Sequence, residues 1–527
     1  MKIGIQNFQG ITDYQEIELA PLTLIYGPNS AGKSTLVDAM KVGADLYEKG
    51  PSAMPLEWIH SSQSGLQSGE FNTKTIIRFE GLSLDEYSWD ERWRYDSGIE
   101  ILGTFPPDFI FSIYDEIERR DNKRINFAVQ YGWQKIDGRL YLCEYQLEVD
   151  REWLFDWQGH KKELAGGVAL FKGNVRINLQ HPLFITVNRK TDIVKSSSWD
   201  IECVGGEARF DDVIESFKGP FVEIFSDGYM ANYQKGDELV DLVATFVAAF
   251  SLKASTECRQ YEIPPIRPIN AANHLVRSAL RTSDYNHDVW GDISVSVVRH
   301  YFGELAEHKF LRGVDLDEIN HFLSEQDFLD TGFCVTGDIR FSASADVMEK
   351  IFAASEENRM ALLAELAEIT VTPKLHDKRR GCDVAIHDVG AGISQVIPVL
   401  VASQYWKAHI QQPELHLHPK MQARIADVFI QQLNLAENPN DLRFLLETHS
   451  ELLVLRVLRR IRETWRADIK SKRFALTPDL VSVLYVDRSS QGVTTFKRLR
   501  ISPEGEFLDR WPDGFFAERD AELFDDE

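Results

Sequence analysis

The sequence predicts an α/β fold carrying an antiparallel β-rich subdomain and a mainly helical insertion, and three stretches predict it. The apolar run Leu22-Thr23-Leu24-Ile25-Tyr26 ends at a glycine-containing loop, and residues 35–46 then place Leu36, Met40, Val42 and Leu46 near one helical face. Residues 75–175 are rich in aromatic and β-branched side chains broken by Gly and Asp, as in Thr75-Ile76-Ile77-Arg78-Phe79 and Tyr145-Gln146-Leu147-Glu148-Val149, a pattern of antiparallel strands. From about 381 onward strand and helix alternate again.

Each remaining element follows from its own pattern. Residues 3–8 and 17–19 read as a strand pair with a turn near 10–13. Residues 239–252 and 345–369 have the clearest helical spacing in the middle of the chain. Further on, 383–386 reads as a strand, 394–408 as mainly helix, 420–433 as helix, 443–446 as a buried strand, 452–464 as helix and 480–486 as strand. The acidic end, 517–527, is expected to fray. No sustained heptads occur, so a long coiled-coil arm is not expected.

Composition bounds the function classes. The chain has 527 residues, enough for two to four domain-sized units, with 43% hydrophobic and 27% charged residues, the balance of a globular protein. Its 5 cysteines (Cys143, Cys203, Cys258, Cys334, Cys382) form no Cys-x-x-Cys pair, so neither a zinc site nor a disulfide framework is indicated, and a reducing cytoplasm is expected. No apolar run approaches the ~18–20 residues of a membrane helix, and the start Met1-Lys2-Ile3-Gly4-Ile5 has no signal-peptide pattern. A net charge of −24 argues against coating nucleic acid over the whole surface, although a local basic groove stays open.

The loop Gly27-Pro28-Asn29-Ser30-Ala31-Gly32-Lys33-Ser34-Thr35 carries the clearest chemistry. Glycines at 27 and 32 let the backbone wrap and aim its N–H groups inward as an anion nest, and the helix that follows adds its positive end. Lys33 supplies a mobile cation for the β- and γ-phosphates, and Ser34 a hydroxyl for Mg²⁺. ATP with Mg²⁺ is therefore the expected ligand.

Three later segments occur in a fixed order. Asp388-Val389-Gly390-Ala391-Gly392-Ile393-Ser394-Gln395 is a glycine-rich turn entering a helix, for which a plain helix cap by Ser394 is the simpler account. Ile410-Gln411-Gln412-Pro413-Glu414-Leu415-His416-Leu417-His418-Pro419 is a strand end and the loop beyond it. Leu446-Glu447-Thr448-His449-Ser450 is a second strand end, where a histidine can bond a γ-phosphate or an attacking water.

In this order the set resembles the RecF/SMC/OLD-like ABC-class ATPases, AAA-type P-loop proteins, and within them a subgroup common in bacterial phage-defence operons. Asn7-Phe8, Pro264-Pro265-Ile266-Arg267-Pro268 and Trp511-Pro512-Asp513-Gly514-Phe515-Phe516 extend the resemblance over nearly the whole chain. It implies a P-loop NTPase ABC-type head. Residues 1–180 would form an N-lobe with phosphate loop and β-subdomain, 181–380 a mixed, mainly helical insertion, and 381–527 a C-lobe with signature turn, Walker B-like strand, switch histidine and cap. Gly27, Asn29, Ser30, Ala31, Gly32, Lys33, Ser34 and Thr35 of one copy would face Gly390, Gly392 and Ser394 of another, giving an ATP-dependent homodimer or higher oligomer.

One departure matters. Where relatives carry Walker B acids, this chain has Gln411 and Gln412. A neutral amide takes no proton from water and is a poorer Mg²⁺ partner. Either hydrolysis is slow, with Gln412 orienting water, His449 sensing the γ-phosphate and Glu414 or Glu447 sharing the work, or ATP is bound with little turnover. Slow hydrolysis is the preferred expectation.

The expected role is an ATPase sensor or scaffold for a separate effector, plausibly a nuclease, in anti-phage defence. A DNA-repair or chromosome-maintenance clamp and a non-hydrolytic interaction module are the alternatives. Arg456, Arg459, Arg460, Arg462, Arg466, Lys470, Lys472 and Arg473 form a basic stretch that could track nucleic acid, although pairing with Asp and Glu is preferred. Arg267 is open between recognising nucleotide and bracing a contact.

Overall fold

The computed structural model describes residues 1–49, 53–59, 74–85, 107–136, 139–163, 169–191, 202–204, 207–214, 238–267, 274–276, 289–302, 314–355, 358–359, 362–363, 366–405, 407–436, 441–468 and 471–510. Pro268, Lys470, the closing motif at 511–516 and the acidic end at 517–527 lie outside them. The chain packs as two units. One holds Met1–Leu19, Pro28–Arg259 and Val486–Lys497; the other holds Ala20–Gly27, Gln260–Tyr485 and the residues from Arg498 onward.

The first unit is built on antiparallel strands β1 (Lys2–Gln6), β2 (Gln15–Glu18), β4 (Thr75–Asp85), β5 (Arg124–Ile136), β6 (Arg139–Val149), β7 (Glu152–Glu163), β8 (Ala169–Asn178), β9 (Glu202–Val204) and β10 (Glu207–Ile214). They form one nine-stranded sheet ordered β2-β1-β4-β5-β6-β7-β8-β10-β9. Alternation fixes which face is apolar: β5 buries Ile125, Phe127, Val129, Tyr131 and Trp133. On β4 the buried set switches from Ile77 and Phe79 to Leu82 and Leu84, because the register shifts between Glu80 and Leu82 and the extra residue changes the parity. The helices are α1 (Ser34–Lys49), α2 (Pro107–Glu118), α3 (Pro182–Thr191) and α4 (Glu238–Cys258). Helix α4 covers the apolar face: Phe250 meets Phe127 edge-on at 5.0 Å and Ser251 Oγ lies 3.4 Å from Tyr145 Oη.

The second unit is built on β3 (Leu22–Tyr26), β11 (Tyr261–Ile263), β16 (Ala408–Gln411), β17 (Phe444–Glu447) and the start of β18 (Val481–Arg488), in the order β11-β16-β17-β3-β18; the end of β18 and most of β19 (Thr494–Leu499), which pairs with it, count with the first unit. The pairs from β11 through β18 are parallel. All four residues of β17 are buried, as expected of a parallel strand covered on both faces. A further antiparallel sheet joins β12 (His274–Val276), β14 (Glu368–Asp377) and β13 (Phe333–Ser342), with β15 (Cys382–Ala385) on β14. The helices are α5 (Val289–Phe302), α6 (Leu316–Ser324), α7 (Ala345–Ala353), α8 (Ala391–Ser403), α9 (Pro419–Asn434) and α10 (Glu451–Trp465). Residues 181–380 thus contribute strands as well as helices, and β11 joins the parallel sheet itself.

Two predicted helices end early. The helix expected over 345–369 is broken after Ala353, residues 358–359, 362–363 and 366 are helical again, and Ile369 belongs to β14, where every second residue is buried and Ile369, Thr370, Val371 and Thr372 are β-branched. The helix expected to reach 408 ends at Ser403, and Ala408 opens β16. Both elements there are buried, so apolar spacing alone does not mark the boundary.

Much of the basic stretch is engaged by acids and carbonyls of the chain itself. Asp427, fully buried on α9, takes Arg456 at 3.0 Å and Arg460 at 2.7 and 2.9 Å. Arg459 pairs with Glu463 at 2.7 Å, and Arg462 donates to the carbonyls of Glu504 and Gly505 at 3.2 and 3.1 Å. Arg473 reaches Asp327 at 2.6 Å. Arg456 and Arg460 thus fasten α10 to α9, and Arg462 ties it to the turn at Glu504 and Gly505, in keeping with the preferred acid-pairing reading.

Removing Asp427 would take from Arg456 its acid partner and leave Arg460, at 8% side-chain exposure, with Glu463 alone. Asp427→Ala is expected to destabilise the second unit by about 3–5 kcal/mol. Arg459→Ala, which removes a cation that is 59% exposed, should cost under about 1 kcal/mol. Urea midpoints of the two variants measure this, and equal shifts would refute it.

Candidate functional site

The phosphate loop leaves the C-terminal end of β3 and enters α1. Its backbone takes left-handed turns at Ser30 (φ 61°) and Gly32 (φ 100°). Ala31 N donates to Pro28 O at 3.3 Å and Thr35 N to Gly32 O at 3.0 Å. A Cβ on Gly32 would stand 2.6 Å from Thr494 Oγ1, so both the turn and the close approach require glycine. Within the first unit, Thr494 Oγ1 donates to Ala31 O at 3.0 Å and Arg488 Nη1 to Ser30 O at 3.3 Å. Lys33 Nζ reaches back to Pro28 O at 2.9 Å. Thr35 is buried and its hydroxyl donates to Gln9 Oε1 at 2.7 Å, while Gln9 Nε2 donates to Asp38 at 2.7 Å. Ser34 and Asn29 remain exposed. Gln9, Arg488 and Thr494 support the loop from distant parts of the chain, and nothing local in the sequence marks them.

The second cluster lies wholly in the second unit, where three parallel strands end side by side. Register places Gln411 opposite Glu447, and Glu447 opposite Ile25. Glu447 Oε1 lies 3.4 Å from Gln411 Nε2 and 2.9 Å from His409 Nε2, and His409 is 1% exposed. Gln412 adopts a left-handed backbone (φ 47°), sparsely populated for a non-glycine residue, and its N–H donates to Glu447 O at 2.7 Å. Buried Glu414 accepts the His449 N–H at 2.8 Å, while its Oε2 has no partner among the described residues. Burial pushes the Glu414 carboxyl above its usual range, and the His449 N–H and Arg267 pull the other way. The His449 ring is exposed and stands edge-on to Tyr26 at 6.4 Å. Gln411, Gln412, Glu414 and His449 therefore converge, and Glu447 is the carboxylate in direct contact with Gln411.

Arg267 ties this strand end to the glycine turn. It is 3% exposed and donates to Gln411 O at 2.7 Å, Gln412 O at 2.9 Å and Gln395 O at 3.3 Å, while Gln395 Nε2 donates to Arg267 O at 2.8 Å. Burial lowers its guanidinium to about 10, opposed by Glu414. Its contacts are those of a brace. Gly390, not Ser394, is the N-cap of α8, and Gly390 and Ala391 are exposed. Ser394 is buried and its hydroxyl donates to Ala391 O at 3.2 Å, within the first turn. A Cβ on Gly392 would stand 2.7 Å from the carbonyl of His416, itself at φ 65°.

Two family models match this chain. One, described as an AAA domain, matches residues 2–198; the other, described as "AAA domain, putative AbiEii toxin, Type IV TA system", matches residues 259–456. Both carry the motifs just located, the loop in the first and the converging strand ends in the second. In these two regions the chain is similar to AAA-type ATPase domains.

Solved structures similar to this ATPase include an Smc head bound to the C-winged helix domain of ScpA (9% identity, 95% of this chain and 97% of that chain, TM-score 0.38). The SMC head domain from Thermotoga maritima is another (9%, 95% and 98%, TM-score 0.34). A third is an Smc head with an extended coiled coil bound to the C-terminal domain of ScpA from Pyrococcus furiosus (10%, 95% and 96%, TM-score 0.35). No curated protein matches the sequence. No helix among the described residues is long and apolar enough to cross a membrane.

Two outcomes follow from this geometry. Gly392→Ala forces the α8 N-terminus off the His416 carbonyl, and a melting temperature lower by several degrees, corresponding to about 1–3 kcal/mol, is expected; an unchanged melt would refute the contact. Glu414 has a folded pKa above its ordinary 4.5, so its ionised form opposes folding above both values and that term fades as pH falls through them. The stability of Glu414→Gln relative to wild type should accordingly shrink from about pH 8 to about pH 5. Paired melts across that range test it, and a difference that grows on acidification would contradict it.

Proposed function

We propose that this protein binds ATP with Mg²⁺, hydrolyses it slowly, dimerises through bound ATP and acts as a sensor or scaffold for a separate effector, a nuclease, in anti-phage defence. The observation that carries the ATP reading is the loop: left-handed turns at Ser30 and Gly32, buttressed by Thr494 and Arg488, opening α1 at Ser34. Such a nest and helix start suit a polyphosphate, with Gly27, Asn29, Ala31 and Thr35 shaping the cradle and Lys33 neutralising charge. Among the described residues no group of three or more His, Cys, Asp or Glu is arranged to hold a metal ion. Mg²⁺ needs no such cage: it is commonly held by phosphates, water and one or two protein oxygens, and the Ser34 hydroxyl fits that donor set. Bound there, it would neutralise charge on the β- and γ-phosphates.

Slow turnover is supported by neutral Gln411 and Gln412. Gln412 would orient water, His449 would contact the γ-phosphate, and Glu414 would position His449 through its backbone N–H. The exposed helix start at Gly390 and Ala391 supports closure by a second copy, with the turn through Gly392 and Ser394 set on His416. Residues 1–180, 181–380 and 381–527 would then be the N-lobe, the insertion and the C-lobe of one head. A defence role is supported by the toxin named in the second family description. A DNA clamp is less well supported, because Arg456, Arg459, Arg460 and Arg462 are each engaged by acids or carbonyls of the chain. The two glutamines favour one second reading, a non-hydrolytic module held by ATP.

Phosphate release and light scattering on wild type and Lys33→Ala test the proposal. Wild type should form an ATP-dependent dimer and turn over at or below about 0.1 s⁻¹, roughly 10²-fold under a typical enzyme, since general-base help is worth about 10²–10⁴-fold. Lys33→Ala should do neither. Dimerisation without turnover above Lys33→Ala would leave the non-hydrolytic module, and no ATP-dependent dimer would remove both.

A further inference from the structure

We propose that the open edge of β13 pairs with the same edge of a second copy, antiparallel and centred on Ile339, giving a two-fold dimer that needs no nucleotide. The contact lies wholly within the second unit and is separate from the ATP-dependent closure described above.

Three observations carry it. The first is the backbone. Among the described residues β13 is the end strand of its sheet, and its register with β14 runs unbroken over Phe333–Ser342. Asn320 of α6 shows which residues face outward: its side chain donates to Val335 O at 3.1 Å and accepts the Val335 N–H at 2.6 Å. Alternation turns the N–H and C=O of Gly337 and Ile339 the same way, and neither has a partner on that side among the described residues. Asn320 thus satisfies the edge at one residue and leaves it open further along, and an open row of this kind is a template for another strand.

The second is charge. Asp338, 46% exposed, and Arg340, also exposed, flank Ile339 on the solvent face. Asp338 pairs with Lys374, whereas Arg340 has no ion-pair partner among the described residues. In an antiparallel pair centred on Ile339, Asp338 of each copy falls opposite Arg340 of the other. Both are non-hydrogen-bonded positions, where facing side chains come closest, and both are attractive. An edge guarded by charge against its own copy would carry one sign, so that the copies repelled. This edge carries both signs in the order that a two-fold axis matches.

The third is the opposite face of the strand. Val335 is buried there, and Ile339 and Phe341 are partly buried against the core. Pairing brings Ile339 of the two copies together and sets Phe341 of the second copy across from Gly337, where an aromatic ring shields the bare backbone of a strand glycine. The apolar layer then continues across the seam.

The test is sedimentation equilibrium of the full chain without nucleotide, in EDTA, over about 1–100 µM, the range suited to a small interface. Wild type should dimerise, and Lys33→Ala should dimerise equally, so the result is independent of the ATP reading. Arg340→Asp makes both charge pairs repulsive and should weaken the dimer about tenfold or more. Adding Asp338→Arg to Arg340→Asp should restore the affinity to within about threefold, a rescue that contact through another surface would not produce. A chain that stays monomeric at about 100 µM overturns the proposal and leaves the edge to a strand of a different protein. A dimer indifferent to Arg340→Asp, or one that the charge exchange does not restore, overturns it as well.

Discussion

The parallel pairing of β17 with β16 on one side and β3 on the other is the constraint on which the rest of the site depends. Parallel strands share a direction, so their C-terminal ends lie along one edge, and helices and loops that follow them must begin there. Register then decides which side chains meet: Gln411, Glu447 and Ile25 form one row. A slip of one residue would turn Glu447 to the opposite face and separate it from His409 and Gln411.

Two kinds of preorganisation are present, one in each unit. Around the phosphate loop it is a matter of backbone: left-handed Ser30 and Gly32, and the side chains of Thr494, Arg488 and Gln9 that fix carbonyls and the Thr35 hydroxyl. Around β16 and β17 it is a matter of charge and hydrogen bonds. Arg267 gathers the carbonyls of Gln395, Gln411 and Gln412, so the start of α8 and the end of β16 share one brace. Glu414 holds the backbone of His449 and leaves its ring exposed. A buried cation and a buried carboxylate with incompletely used polar atoms are expensive to keep, which is common where a site is organised for function.

Much of this was legible in the sequence because it is local. Residues 22–26, the nine-residue loop and the helix after it form a contiguous pattern, and the β-rich subdomain shows its period-two alternation. The strand ends at 411 and 447 and the histidine at 449 were also visible in order. What escaped was what long-range packing decides. The pairing of Gln411 with Glu447 depends on register between strands 36 residues apart. Thr494 reaches Ala31 across 463 residues. Nothing local to Arg267 says whether it meets a ligand or three carbonyls. The arginines of α10 look like a basic patch until Asp427, invisible as a partner in one dimension, is brought beneath them. The end of the helix expected at 394–408 was lost for a different reason: a buried strand and a buried helix end present the same apolar run.

The central claim is that the loop from Gly27 to Thr35 grips a nucleoside triphosphate. Calorimetric titration of ATP with Mg²⁺ into the full chain tests it most directly. The account predicts saturable binding of one nucleotide per chain, competed by ADP and absent when the Gly32 turn is blocked by alanine. An isotherm indistinguishable from the heat of dilution would contradict it.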